Sequence, residues 1–159
     1  MAAMSHFSAG LLMYSIHDGR LQVLLAHPGG PFFTNKDDGV WSIPKGEPEP
    51  DEDLLDAAMR EFKEEVGITP SSPFLALRPV KQAGGKVVHA WAFKGDCDPS
   101  TCVSNTFTME WPPKSGRQME FPEIDRAEFF DVDTAKRKIN PAQVGLIDEL
   151  EAIVKAELQ

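Results

Sequence analysis

Cysteine is nearly absent from this 159-residue sequence: only Cys97 and Cys102 occur, either side of an Asp-Pro-Ser-Thr turn. A disulfide framework is thereby excluded, and two idle thiols are expected, the alternatives being one strained disulfide or half a metal site. No apolar run approaches the ~18 residues of a membrane span, and the N-terminus lacks the basic-then-apolar layout of a secretory leader. The expectation is a cytoplasmic protein with no membrane partner. Internal repeats, low-complexity blocks and linkers are also missing, so residues 1–159 read as one domain. Positive charge is scarce: 16 Lys and Arg against 25 Asp and Glu leave a net charge of −9. Such a surface is a poor general binder of nucleic acid, and no stable nucleic-acid complex is expected, although a local basic pocket is allowed. What remains is ordinary globular material, 42% hydrophobic and 26% charged. A chain this long buries ~68–70% of its unfolded surface and needs no metal or disulfide to fold.

Two apolar runs, Ser8 to Ile16 and Leu21 to His27, flank His17-Asp18-Gly19-Arg20, and Asp-Gly between such runs signals a hairpin. Residues 28–39 carry loop chemistry, and a short strand is expected over 40–43. From 51 to 66 the pattern turns helical: Leu55, Ala58, Met59, Phe62 and Val66 share one side, acids crowd the start and Gly67 stands at the end. Strands are expected over 74–80, 86–93, 103–111 and, more briefly, 127–130. Asn140-Pro141 opens a last helix whose apolar stripe is Val144, Ile147, Leu150, Ile153 and Val154. Strands before, between and after two long helices predict a mixed sheet covered on both faces.

The first helix is the chemically informative segment. Asp51, Glu52, Asp53, Asp56, Glu61, Glu64 and Glu65 stand against only Arg60 and Lys63, so it holds five of the nine net negative charges. Glu61, Glu64 and Glu65 lie at i, i+3 and i+4, neighbours on one face, where each like-charged pair costs ~0.2–0.5 kcal/mol. They also sit near the helix C-terminus, where the macrodipole opposes them. A solvated acidic face is the plain explanation. The triplet, however, flanks the apolar stripe at the edge of buried surface, where a hard divalent cation such as Mg²⁺ offsets the repulsion.

Gly46, five residues, Glu52, seven residues, then Arg60-Glu61-Phe62-Lys63-Glu64-Glu65-Val66-Gly67-Ile68 resembles the Nudix box, Gly-x5-Glu-x7-Arg-Glu-U-x-Glu-Glu-x-Gly-U with U a bulky apolar residue. All seven fixed identities are present, over 23 of the 159 residues. The resemblance implies an α/β (α+β) fold, a Nudix-type α-β-α sandwich with a mixed sheet between helices. It implies that Glu61, Glu64 and Glu65 ligate Mg²⁺, with Mn²⁺ as a substitute, that the Gly46 carbonyl adds a ligand, and that Glu52 and Arg60 pair to orient the helix carboxylates. The implied activity is hydrolysis of a nucleoside diphosphate linked to a further group, by water attacking phosphorus, with Glu61 first and Glu64 second as general base, or with the metal generating hydroxide unaided. Pyrophosphates repel nucleophiles, and a metal neutralises them and acidifies water. The box holds no nucleophilic Ser or Cys, and no Gly-x4-Gly-Lys-Ser/Thr loop occurs.

Outside the box, Lys45 is a candidate phosphate contact. Glu123, with Glu120 behind it, lies in a stretch resembling the one from which some Nudix hydrolases draw a further metal carboxylate. Trp41, Trp91, Phe32 and Phe33 are candidates to stack on a base, Trp41 foremost; for Trp91 core packing competes. His27 and His89 read as structural, and Arg78, Lys81, Lys86, Lys114, Arg117 and Arg126 as unranked phosphate contacts. The run from Trp41 to Glu47, with the Glu123 region, resembles that of small members acting on nucleoside tri- and tetraphosphates or 5′-triphosphate ends, and a dinucleoside polyphosphate is a further expected substrate. ADP-ribose or nucleotide-sugar hydrolysis is one alternative, a non-catalytic nucleotide-sensing module another. A homodimer is compatible with all three.

Overall fold

The computed structural model describes residues 6–158. Two long strands, β1 (Phe7–His17) and β2 (Arg20–Pro28), pair antiparallel through a two-residue turn at Asp18 and Gly19. Both turn residues have positive φ, 52° and 76°, the requirement of the tight turn whose twist matches a hairpin. β1 then pairs with β3 (Lys45–Gly46) and runs parallel to β6 (Val87–Lys94), Phe7 facing Val87. β2 pairs antiparallel with β9 (Ile124–Asp131). Short strands β4 (Leu75–Ala76) and β5 (Val80–Lys81) line the far side of β6. β7 (Thr106–Glu110) and β8 (Gln118–Pro122) form a separate ribbon.

The middle of β1 is buried on both faces, which explains its unbroken apolar run. Side chains alternate across the sheet. Leu11 and Met13 meet Ala57, Ala58, Phe62 and Val66 of α1 (Leu54–Val66) on one face. Leu12 and Tyr14 meet Leu146, Ile147 and Leu150 of α3 (Val144–Leu158) on the other, with α2 (Val132–Lys138) beside it. The expected mixed sheet between helices is therefore present. No described helix is long and apolar enough to cross a membrane.

Several boundaries differ from the sequence reading. Residues 40–43 make only single bridges, Trp41 to Ile139 and Ser42 to Ala26, because Gly39 at φ 82° and Pro44 leave no length for a strand. The expected strand over 74–80 splits in two, since Pro79 has no N–H and the Arg78 N–H donates to Glu149 Oε1 at 2.7 Å instead. The strand expected over 103–111 is confined to β7 and pairs outside the main sheet. β8 and α2 were not anticipated, and Asn140-Pro141 opens a 3-10 turn, Pro141–Gln143, that runs into α3.

Candidate metal and substrate site

α1 begins where Asp53 caps it, accepting from the Leu55 and Asp56 N–H groups at 3.1 and 3.3 Å. It stops at Gly67, whose φ of 82° suits a residue without Cβ and whose N–H reaches Lys63 O at 2.8 Å. These two punctuation marks leave Glu52 just outside the helix. Its carboxylate forks onto Arg60, taking Nε at 3.0 Å and Nη2 at 2.9 Å. Arg60 in turn donates from Nη1 to Glu61 at 2.9 Å and to Glu64 at 3.3 Å, and from Nη2 to the Glu47 carbonyl at 3.2 Å. The guanidinium is thus a hub joining Glu52, Glu61 and Glu64, and these partners raise its pKa, Glu52 foremost.

β3 delivers Lys45 and Gly46 against the same face of α1. Gly10 permits this approach: a Cβ there would lie 2.6 Å from the Pro44 carbonyl oxygen and 2.7 Å from Lys45 Cβ. Gly46 in turn lies under the Glu61 carboxylate. Glu65, 9% exposed, points inward between α1 and the sheet. It accepts from the Lys45 N–H, and its Oε2 is buried with no hydrogen-bond partner. Burial, then the charges of Glu61 and Glu123, push its pKa up to about 9. Burial also raises the Glu61 carboxyl and, joined by Glu64, that of Glu123. Half-buried Lys45 is shifted down by desolvation, against the pull of Glu65. Glu123 is held at the start of β9 by backbone bonds, its N–H to Asn105 O and its carbonyl from Gly29 N, each 2.9 Å. A bulge opposite His27 and Pro28 follows. Glu120 stands exposed on the ribbon, opposite Thr108.

Arg60 and Lys45 offset part of this acidic cluster, yet the buried Glu65 oxygen is left without a partner. All its donors are oxygens, and the missing Gly46 side chain lets the Glu61 carboxylate lie against the Gly46 backbone, so the set fits a hard divalent cation. Among the described residues no three side chains already form a closed cage, because the Arg60 guanidinium lies between Glu61 and Glu64.

Three cavities surround Glu65 and Lys45. The largest, about 410 Å³, is lined by Glu65, Asp98, Asp125 and Glu128 against Arg126 alone among bases, an electrostatic barrier to polyphosphate. One of about 170 Å³ contains Glu65, Glu123 and Lys45, and one of about 280 Å³ shares Pro28, Ser42 and Lys45 with it. Together these two form a cleft, acidic at one end.

Trp41 requires a correction. It is 1% exposed; Phe130 and His27 pack edge-to-face at 4.9 and 5.2 Å, Arg126 covers the ring at 5.1 Å, and Nε1 donates to Asp37 at 2.8 Å. No face is left for a base, so Trp41 is core rather than a substrate contact. Trp91 packs half-buried against the core, Phe32 is exposed against Trp111, and Phe33 alone of the four aromatic candidates lines the cleft. Lys86 is spent on Glu47 at 2.6 Å. His27 is structural, its nitrogens 2.7 Å from Asp125 and 2.6 Å from the Lys36 carbonyl. Ser42, Gln82 and Gln143 also line the cleft, and no motif in the sequence marks them.

Comparison with known proteins places this geometry. The NUDIX domain family model matches residues 4–150. A C. elegans Ap4A hydrolase, solved as a binary complex, superposes with a TM-score of 0.64 at 22% identity, covering 94% of this chain and 98% of the other. The NUDIX domain of Shewanella oneidensis NrtR, solved with ADP ribose, gives 0.67 at 17% identity, covering 96% and 90%. RenU, a Nudix hydrolase from M. smegmatis, gives 0.58 at 20%, covering 95% and 86%. This chain belongs to the Nudix family, as a hydrolase acting on phosphoanhydride bonds.

Proposed function

We propose that residues 1–159 act as one Mg²⁺-dependent pyrophosphohydrolase on a nucleoside diphosphate linked to a further group: a nucleoside triphosphate, a dinucleoside polyphosphate or a 5′-triphosphate end. The observation that carries this reading is the buried, unpartnered Glu65 oxygen beside Glu61 and Glu123. Glu61, Glu64, Glu65, Glu123 and the Gly46 carbonyl would hold the ion, with Mn²⁺ as a substitute. When bound, the ion supplies charge neutralisation at the phosphates and a lowered pKa for water.

The chain's own residues do the rest. Glu52 fixes Arg60, and Arg60 fixes the Glu61 and Glu64 carboxylates. Lys45 faces the phosphates from the shared wall of the cleft. Water oxygen bonds to phosphorus, the bridging oxygen leaves with the electron pair, and a water proton passes to a carboxylate. Glu61 is the first choice of base, because burial makes it more basic than an ordinary glutamate; Glu64 is the second. A cytoplasmic location, a small-molecule substrate and freedom from membrane or stable nucleic-acid partners accompany this reading, and a homodimer is compatible with it.

The test is turnover by purified protein with Mg²⁺ or with chelator, against nucleoside triphosphates, dinucleoside polyphosphates, ADP-ribose, nucleotide sugars and triphosphorylated RNA. Products are resolved by mass in ¹⁸O-water. Metal-dependent cleavage with one labelled oxygen on a phosphate product is expected, and absence of any such product across the panel overturns the reading. Cleavage of ADP-ribose alone would replace the substrate class.

A further inference from the structure

The larger lobe of the cleft is built from amides whose orientation the backbone fixes. The Ile43 N–H donates to Gln143 Oε1 at 3.1 Å, and a backbone N–H cannot be turned round, so Gln143 Nε2 is the donor end. Nε2 donates to Ser42 Oγ at 3.0 Å and to Gln82 Oε1 at 2.8 Å, and Ser42 passes its own proton to the Ile43 carbonyl at 2.7 Å. Gln143, 0% exposed, is thereby satisfied and rigid. The relay turns the oxygen of Gln82 toward Gln143, where it already accepts one bond. What Gln82 offers the lobe it lines is therefore its two N–H donors, which meet no partner among the described residues. Asn140, on the same wall, is committed in the same sense, its Oδ1 accepting from the Ala142 N–H at 3.0 Å. Lys45 adds an ammonium at the junction with the acidic end. Each amide oxygen of this lobe already has a partner, so its wholly unpartnered side-chain groups among the described residues are donors, set against the apolar faces of Phe33 and Val40.

From this geometry we infer that the lobe is the base subsite of the hydrolase proposed above, and that Gln82, oriented by Gln143, selects bases presenting a carbonyl edge. Guanine, hypoxanthine and uracil offer acceptors where adenine and cytosine offer an amino group. An amino group facing the Gln82 amide puts donor against donor, leaving both unpaired in a partly desolvated lobe. This inference rests on the proposed activity for its substrate class, but its selectivity is a property of binding.

The experiment compares kcat/KM with Mg²⁺ for GTP, ITP and UTP against ATP and CTP, in wild type, Gln82→Glu and Gln82→Ala. Dissociation constants for α,β-methylene analogues of the same nucleotides are read by calorimetry. Wild type is expected to favour the carbonyl-edged set at least tenfold in both measures. In Gln82→Glu, one oxygen keeps the bond from Gln143 and the other presents an acceptor, so the ratio moves at least tenfold toward ATP and CTP. Gln82→Ala removes the preference, with a lower melting temperature because one Gln143 N–H loses its acceptor. A wild-type preference below threefold, a preference for adenine, or a ratio unmoved by Gln82→Glu overturns the inference while leaving hydrolysis standing. Selective binding without turnover of any nucleotide overturns the hydrolase reading and leaves the selectivity standing.

Discussion

Glu61 lies so closely over Gly46 that a Cβ built on the glycine would stand 2.1 Å from the Glu61 carboxyl carbon. The obstructing group is the tip of a flexible side chain, so Gly46→Ala displaces the carboxylate and leaves the fold alone. Activity is expected to fall at least tenfold, about 1.4 kcal/mol of barrier, with thermal stability nearly unchanged. A variant that melts early while turning over normally would contradict this.

Charge removal separates function from stability at the three helix glutamates. Glu61→Gln, Glu64→Gln and Glu65→Gln are each expected to lose activity by about 100-fold or more while circular dichroism stays native-like and melting falls no lower than wild type. Wild-type turnover in all three would remove the metal assignment.

Glu65 gives the metal-free protein a pH signature. A carboxyl raised from 4.5 to about 9 on folding keeps its proton in the folded chain after the unfolded chain has lost it. Its contribution is whole below pH 4.5 and is lost as pH rises through about 9. In chelator, urea-melt stability therefore declines across that window, with a slope of at most about 1.4 kcal/mol per pH unit. Glu65→Gln flattens the decline. Added Mg²⁺ raises the melting temperature more at pH 8 than at pH 6, since binding releases the proton.

Arg60 organises two carboxylates only because Glu52 holds it by two bonds. Arg60→Lys keeps the charge but loses the fork, and kcat is expected to drop by about tenfold to 100-fold with KM little altered. Glu52→Gln should follow it in direction, and equal kcat in both variants and wild type would show that the hub is idle.

Trp41, enclosed by His27, Phe130 and Arg126, is a stability residue. Trp41→Ala should cost about 3–5 kcal/mol in denaturant melts, whereas Trp41→Phe leaves KM within about twofold. A large KM effect in the phenylalanine variant would return the indole to the substrate site.

The parts legible in the sequence are those where one local signal suffices. α1 carried its own cap, stripe and stop, and the spacing from Gly46 to Ile68 located the carboxylates before any fold was known. Glu123 was reached only by resemblance, and its place beside Glu61 and Glu65 depends on β9 pairing with β2. The ribbon strand β8 escaped because Gln118-Met119-Glu120 is polar and mostly exposed. Trp41 was misplaced because residue type does not tell which way a side chain turns. Gln82 and Gln143 were invisible because a relay of amides 61 positions apart has no pattern in one dimension.

The parallel match of Phe7–Tyr14 with Val87–Lys94 also sets an order of events during synthesis. When α1 leaves the ribosome, the strand it must cover has one long neighbour, β2; β6 is still unmade, and β9 follows later. Glu123 therefore joins the three helix glutamates late, because the pairing of β9 with β2 has to precede that convergence. The full set of carboxylates is therefore complete only once the segment that carries Glu123 has been made.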